Sequence, residues 1–510
     1  MLFNSHIFIF VFLPVTLAGY FVLAALSATT LARVWLLLTS LVFYGWWNPP
    51  YLLLLILSIL FNYVLAGEMS RKRASNSRGA RGLLVFGVIT NLAALGWFKY
   101  ATFVADNVGA LVGLDFAMTA VVLPLAISFY TFQQVAYLVD TYRGEAPPYS
   151  LLDYALFVSF FPQLIAGPIV HHGELTPQFR QSLLTRFDAN DMAAGIAFFV
   201  IGLLKKLAIA DPVGALAAPT FAEAGTRGAL EAWLAVSAFT IGLYFDFSGY
   251  SDMAVGLARM FGIRLPYNFA SPYQAISIIE FWRRWHITLS RFLRDYVYIP
   301  LGGNRYGATR RYLNLVLTML LGGIWHGAGW TFVAWGALHG VYLLLNHSWN
   351  GIVTRAAEAG RQLALPTPVA RGATLLAVMV AWVFFASPEF GTALDILTGM
   401  TGMNGIGPWP PVVGALVDVA LGRAQIGLEG GTGFLALLGT AGALCAFALG
   451  WLLVLFTPNT QAIVDGAALP HHWRVLRFRP TAAMAVVVGA AFVLAVTLMA
   501  DVKEFVYFQF

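Results

Sequence analysis

The stretch Pro50-Tyr-Leu-Leu-Leu-Leu-Ile-Leu-Ser-Ile-Leu-Phe-Asn-Tyr-Val-Leu-Ala-Gly67 contains no Asp, Glu, Lys, Arg or His. Arg71, Lys72, Arg73, Arg78 and Arg81 follow at once. About 20 apolar residues in a helix cross the ~30 Å hydrocarbon core of a bilayer. A cluster of positive charge beside such a run marks the side that stays in the cytoplasm. This pattern therefore predicts a membrane-spanning helix and its direction. Counting back three spans places the N-terminus outside.

The rest of the chain has the same character. Of its 510 residues 59% are hydrophobic and 11% charged, and the mean hydropathy is +0.75. A soluble domain carries about 25% charge. This composition excludes a cytosolic enzyme, a secreted disulfide scaffold and a disordered protein. The apolar runs are continuous rather than alternating, which excludes an outer-membrane barrel. Further spans are expected at about 7–25, 31–47, 82–103, 118–139, 151–170, 190–210, 229–247, 312–330, 331–346, 371–387, 434–456 and 482–500. The first lacks the basic lead of a cleavable signal and is read as retained. The expected fold is all-α: a polytopic membrane helical bundle of 11–14 spans, some of them re-entrant, forming a single domain over 1–510 with its core motifs in 160–340. The Gly- and Pro-rich segment 388–433 is expected outside, as a loop with one amphipathic helix.

The net charge of +6 follows from basic loops between spans, not from a nucleic-acid surface. Lone Cys445, in an apolar run, is expected to be a small buried hydrophobe and excludes a disulfide framework. Lys205 and Lys206 are read as a helix end facing the cytoplasm. Asp246 and Asp252, around Gly249, either line a polar cavity or hold helices together.

Segment 280–311 carries seven arginines. At about 100° per residue, Arg283, Arg284, Arg291, Arg294 and Asp295 fall in one arc, and Trp282, Trp285, Leu289, Phe292, Leu293 and Tyr296 fill the opposite one. The pattern predicts an amphipathic helix at the cytoplasmic boundary. Glu280 and Arg284 should pair, and His286 should lie at the aromatic edge.

His326 stands apart, within Gly322-Gly-Ile-Trp-His-Gly-Ala-Gly-Trp330. An ionisable ring in an apolar run is costly unless it faces protein or a wet cavity, which marks a functional candidate. Neutral imidazole can accept a hydroxyl proton near neutral pH. His339 is expected to pack between helices. His171, His172, His471 and His472 are expected to be solvated or interfacial. No HExxH, cysteine pair or carboxylate near His326 supports a metal, and none is expected. Nucleotide-binding and Ser-hydrolase motifs are absent.

Six stretches, in order, carry a resemblance. They are Phe160-Phe-Pro-Gln-Leu-Ile-Ala-Gly-Pro168, Asp246-Phe-Ser-Gly-Tyr-Ser-Asp-Met-Ala-Val-Gly-Leu-Ala258, Ile263-Arg-Leu-Pro-Tyr-Asn-Phe-Ala-Ser-Pro272, Phe281-Trp-Arg-Arg-Trp-His-Ile-Thr-Leu-Ser290, Tyr298-Ile-Pro-Leu-Gly-Gly303 and Gly323-Ile-Trp-His-Gly327. With the tail Glu504–Phe510, they resemble the membrane-bound O-acyltransferase family, and within it the bacterial alginate O-acetyltransferase branch. The resemblance implies a helical funnel with a tunnel across the inner membrane. It implies that His326 is catalytic and that His286 holds a second polar position, where many eukaryotic members have Asn. Arg283, Arg284 and Arg291 are expected to meet donor phosphates. Trp325, Asp252, Asn268 and Gln163 are further expected substrate contacts. No permanent cofactor is implied. The donor would be acetyl-CoA or an acyl carrier thioester, and the partners periplasmic acetyltransferase or polysaccharide-modification proteins. D-alanyl transfer from a carrier protein is the alternative chemistry. A transporter is a different class, and the inverted repeat it would show is absent.

Overall fold

The computed structural model describes residues 1–114, 116, 122–181, 187–222, 225–408, 413–414, 431–466, 469–499 and 505. Among these residues every regular element is helical. Among the described residues seven helices are long and apolar enough to cross a membrane: Phe8–Ala25, Pro49–Arg73, Ser77–Val112, Ala189–Ala222, Ala229–Met260, Thr367–Ala386 and Gly439–Phe456. Thr29–Gly45 and Ala482–Thr497 are shorter apolar helices. In Ser77–Val112 only 17% of the apolar window is buried. Phe86, Ile89, Trp97 and Val104 point outward from it, as a helix solvated by lipid requires.

The chain folds as two compact units. The first comprises residues 1–203, 250–267 and 460–509. Its helices include α1 (Leu13–Ala25), α2 (Thr29–Gly45), α3 (Pro49–Ser75), α4 (Ser77–Val112), α5 (Ile127–Arg143), α6 (Leu151–Ser159), α7 (Phe161–Leu164), α8 (His172–Arg180) and α9 (Ala189–Leu204). Buried amides tie three of them. Asn62 on α3 and Asn91 on α4 exchange hydrogen bonds of 3.1 and 2.7 Å, and Asn62 donates to Gln134 on α5 at 3.0 Å. Between lipid-facing helices such bonds replace the hydrophobic drive that water would supply.

The second unit comprises residues 204–249 and 268–459. It holds α10 (Asp211–Ala222), α12 (Ile278–Arg284), α13 (Ile287–Leu293), α14 (Gly307–His326), α15 (Trp330–Glu358), α16 (Thr367–Ala386), α17 (Phe390–Met400) and the apolar part of α18 (Gly431–Phe456). Helix α11 (Ala229–Met260) contributes to both units and runs unbroken through Gly249. Helices α14 and α15 form a tight hairpin. A Cβ on Gly336 would lie 2.6 Å from the Met319 carbonyl oxygen and 3.2 Å from Gly323 Cα, and one on Gly340 3.2 Å from Val316 Cα. The glycines therefore serve close helix approach.

Several expectations need correction. The helix expected across 280–296 breaks between Arg284 and Ile287, so the arginines do not share one helical arc. The span expected at 151–170 ends at Ser159, ahead of the short helix with Pro162 in its first turn. Part of 118–139 lies outside the described residues, and its helix begins at Ile127. So do most of 409–430 and of the tail 504–510, while the helix expected within 388–433 is α17. Cys445 is exposed on its helix rather than buried. Lys206 does not end a helix: Ala189–Ala222 runs on through it, and its side chain is 1% exposed, 2.7 Å from Asp246 and 2.9 Å from Asp211. It sits in a π-helical turn, Lys205–Ala210, that widens the helix around the buried cation.

Candidate active site

His326 is the last residue of α14. Gly327 and Gly329 are extended, so the chain leaves the helix at the histidine and re-enters one at Trp330. The imidazole is 4% exposed and is boxed edge-on by Trp325, Trp335 and Phe385, with centroids 4.9, 5.0 and 5.2 Å away. Such walls exclude water from whatever the ring touches.

His286 lies in the break between α12 and α13. Its backbone is left-handed, with φ +43°. That conformation costs a residue with a Cβ about 1–2 kcal/mol and persists only when its surroundings enforce it. Asn268 and Ala270 supply the enforcement. The Ala270 amide donates to the Arg284 carbonyl at 2.9 Å, and the Ile287 amide donates to the Asn268 carbonyl at 3.0 Å. Asn268 Oδ1 accepts the Thr288 hydroxyl at 2.6 Å. The segment is thus pinned on both sides of His286. The ring is fully buried, 4.8 Å from Phe247 and 6.4 Å from Trp325. Trp325 therefore contacts both histidines. Burial pushes His286 down to about 3, so it is neutral at physiological pH.

The three arginines differ in their surroundings. Arg283 is exposed, Arg284 pairs with Glu280 at 2.5 Å as expected, and Arg291 is half-buried in the last turn of α13. Asn268 supports His286 and is 1% exposed. Gln163 and Asp252 belong to the first unit. There the Gln163 amide donates to the Phe157 carbonyl at 2.6 Å, and Asp252 accepts the Thr460 hydroxyl at 2.6 Å.

A model of the membrane-bound O-acyltransferase family matches residues 145–386. The chain is 44% identical over 432 residues to a peptidoglycan O-acetyltransferase of Helicobacter pylori, covering 80% of this chain and 81% of that one. It is 42% identical over 406 residues to the probable alginate O-acetylase AlgI of Pseudomonas aeruginosa, covering 78% and 75%. The chain belongs to the membrane-bound O-acyltransferase family. It is a multi-pass membrane protein and an O-acyltransferase. A teichoic acid D-alanyltransferase of Streptococcus thermophilus is 30% identical over 237 residues, covering 44% of this chain and 57% of that one.

Two features of this O-acyltransferase come from its tertiary structure and not from local sequence pattern. His172, expected to be solvated or interfacial, is buried, at 1% side-chain exposure. Both His171 and His172 aim Nε2 at Asp140, at 2.8 and 3.1 Å. The three are close enough to hold a metal ion. However, His171 Nδ1 accepts the Gly173 amide at 3.1 Å, which leaves the ring proton on Nε2. That ring is a hydrogen-bond donor to the carboxylate, not a metal ligand. The second feature is the aromatic shell from α15 and α16. Trp335, His339 and Trp382 are fully buried and surround His326 or its neighbours. The spacing of Trp335 and His339, four apart on one helix face, was the available signal.

Proposed function

We propose that the protein moves an acetyl group from a cytoplasmic thioester to a cell-envelope glycan, directly or through a partner protein outside the inner membrane. The observation that carries this reading is the pair of histidines around Trp325, one at the end of α14 and one in the break before α13. His326 takes the acceptor proton, directly or through a relay group, while His286 orients a reactant. Such base assistance is worth about 10²–10⁴-fold. Enclosure of both reactants by the aromatic walls supplies much of the remainder. Acetyl-CoA is the simplest donor, with Arg283 and Arg291 as phosphate partners; an acyl carrier protein is the alternative.

The names of the relatives support acetyl as the acyl group and a glycan as the destination: peptidoglycan in one, alginate in the other. The D-alanyl alternative draws on the shorter match, which covers 44% of this chain. The basic clusters at 71–81 and 283–311 support a cytoplasmic side for both segments and, with it, an N-terminus outside. The test is His326→Ala expressed in the native host. Membrane insertion should match wild type and ester-linked acetyl on the envelope glycans should disappear. Undiminished acetyl in that strain would reject the assignment.

A further inference from the structure

His339 sits on α15 one turn after Trp335, and their ring centroids lie 4.8 Å apart. Both side chains are essentially inaccessible, at 0% and 1% exposure. The Trp282 indole donates to His339 Nδ1 at 3.3 Å. A neutral imidazole that accepts at Nδ1 carries its proton on Nε2, so His339 is a donor there. That Nε2 has no hydrogen-bond partner among the described residues, and neither has the indole nitrogen of Trp335. Buried donors are rarely left unpaired, because each forfeits its bond to water. Two on one helix face, and Trp335 itself packed 5.0 Å from His326, mark a place built to receive something. Both donors are neutral, and aromatic rings pack against them: Phe281, Trp282, Trp382 and Phe385. A phosphate would need cations here. The group that fits is uncharged and accepts hydrogen bonds.

We propose that His339 and Trp335 form a donor subsite that hydrogen-bonds a carbonyl oxygen of the acyl thioester beside His326. This rests on the acyl-transfer reading above. The subsite binds the thioester and performs no chemical step.

The test uses acetyl-CoA and the purified full-length protein in lipid nanodiscs, read by the Kd for acetyl-CoA and the KM for CoA release. His339→Phe keeps an aromatic ring and removes the donor. It should raise both constants about tenfold, the usual consequence of losing one hydrogen bond. His339→Gln removes the ring but retains an N–H donor, and should stay within about threefold of wild type. A packing role predicts the opposite order, with Phe harmless and Gln harmful, and that order overturns the proposal. Equal losses in both variants also overturn it. Should His339→Phe fail to insert, Trp335→Phe decides: a raised Kd supports the subsite and an unchanged Kd rejects it. Wild-type protein that neither binds nor turns over acetyl-CoA refutes the acetyl-CoA reading and this inference with it. Wild-type turnover with unaffected variants refutes the inference alone.

Discussion

Replacing each of the two histidines by asparagine separates their roles. His326 and His286 share Trp325 as a neighbour, yet their surroundings differ. Burial pushes His286 down to about 3, from an ordinary 6.5. An imidazole so reluctant to accept a proton is a poor base near neutral pH, where the best catalytic pKa lies near the working pH. It can still donate or accept a hydrogen bond, and so can Asn. Its backbone adds a second argument. At φ +43° the position is left-handed, where Asn is among the residues most readily accommodated. His286→Asn should therefore fold and lose only the difference between two hydrogen bonds, about 2- to 13-fold in rate. His286→Ala, which leaves a gap against Phe247, should lose most activity. His326→Asn removes the base itself. It should cost about 10²–10⁴-fold, or roughly 2.7–5.5 kcal/mol of barrier. The assay is CoA release from acetyl-CoA by protein in nanodiscs, with thermal denaturation as a check that each variant is folded. If His286→Asn, folded, falls as far as His326→Asn, the orienting role is wrong and both rings handle protons.

Gly336→Leu should abolish or sharply lower the yield of folded protein, because its first side-chain carbon meets the Met319 carbonyl at 2.6 Å; overpacking of this type costs about 1–3 kcal/mol. Gly96→Ala, which has no atom within 4 Å of the added carbon, should leave the denaturation midpoint unchanged or raised. Lys206→Met strands the Asp246 and Asp211 carboxylates and should destabilise by about 3–5 kcal/mol, with part of the loss recovered in Lys206→Met/Asp246→Leu. Because His286 is held neutral by burial, the denatured chain takes up a proton below pH 6.5 that the folded chain refuses until about pH 3. That contribution is complete above pH 6.5 and is lost as pH falls, so the midpoint should drop across that window and drop less in His286→Phe. Single cysteines at Ser75 and Thr309, in a Cys445→Ser background, should resist an impermeant thiol reagent in intact cells; labelling of either would invert the proposed topology.

Hydropathy alone determined that this chain lives in a membrane and where most of its long helices run. The reason is local: a run of about 20 apolar residues must satisfy its own backbone, and does so as a helix whatever its neighbours. The same locality exposed His326, a polar ring in an apolar run, and the Glu280–Arg284 pair one turn apart. Periodicity misled at 280–296, where every apolar residue but Ile287 fits the wheel and yet the helix breaks at Trp285–His286. A left-handed histidine has no local signal. Its conformation is imposed by Asn268 and Ala270, whose partners lie about 15 to 20 positions further along the chain. Lys206 reads as a helix end and His172 as solvated or interfacial because the sequence does not show that Asp246 and Asp140 come to meet them; a buried ammonium is tolerable only with its partner in place. The aromatic shell that shields this lone histidine from water is likewise a product of the tertiary structure. It takes α15 and α16 to bring Trp335, Trp382 and Phe385 around α14, and burial, which sets the protonation of His286, exists only once the helices pack.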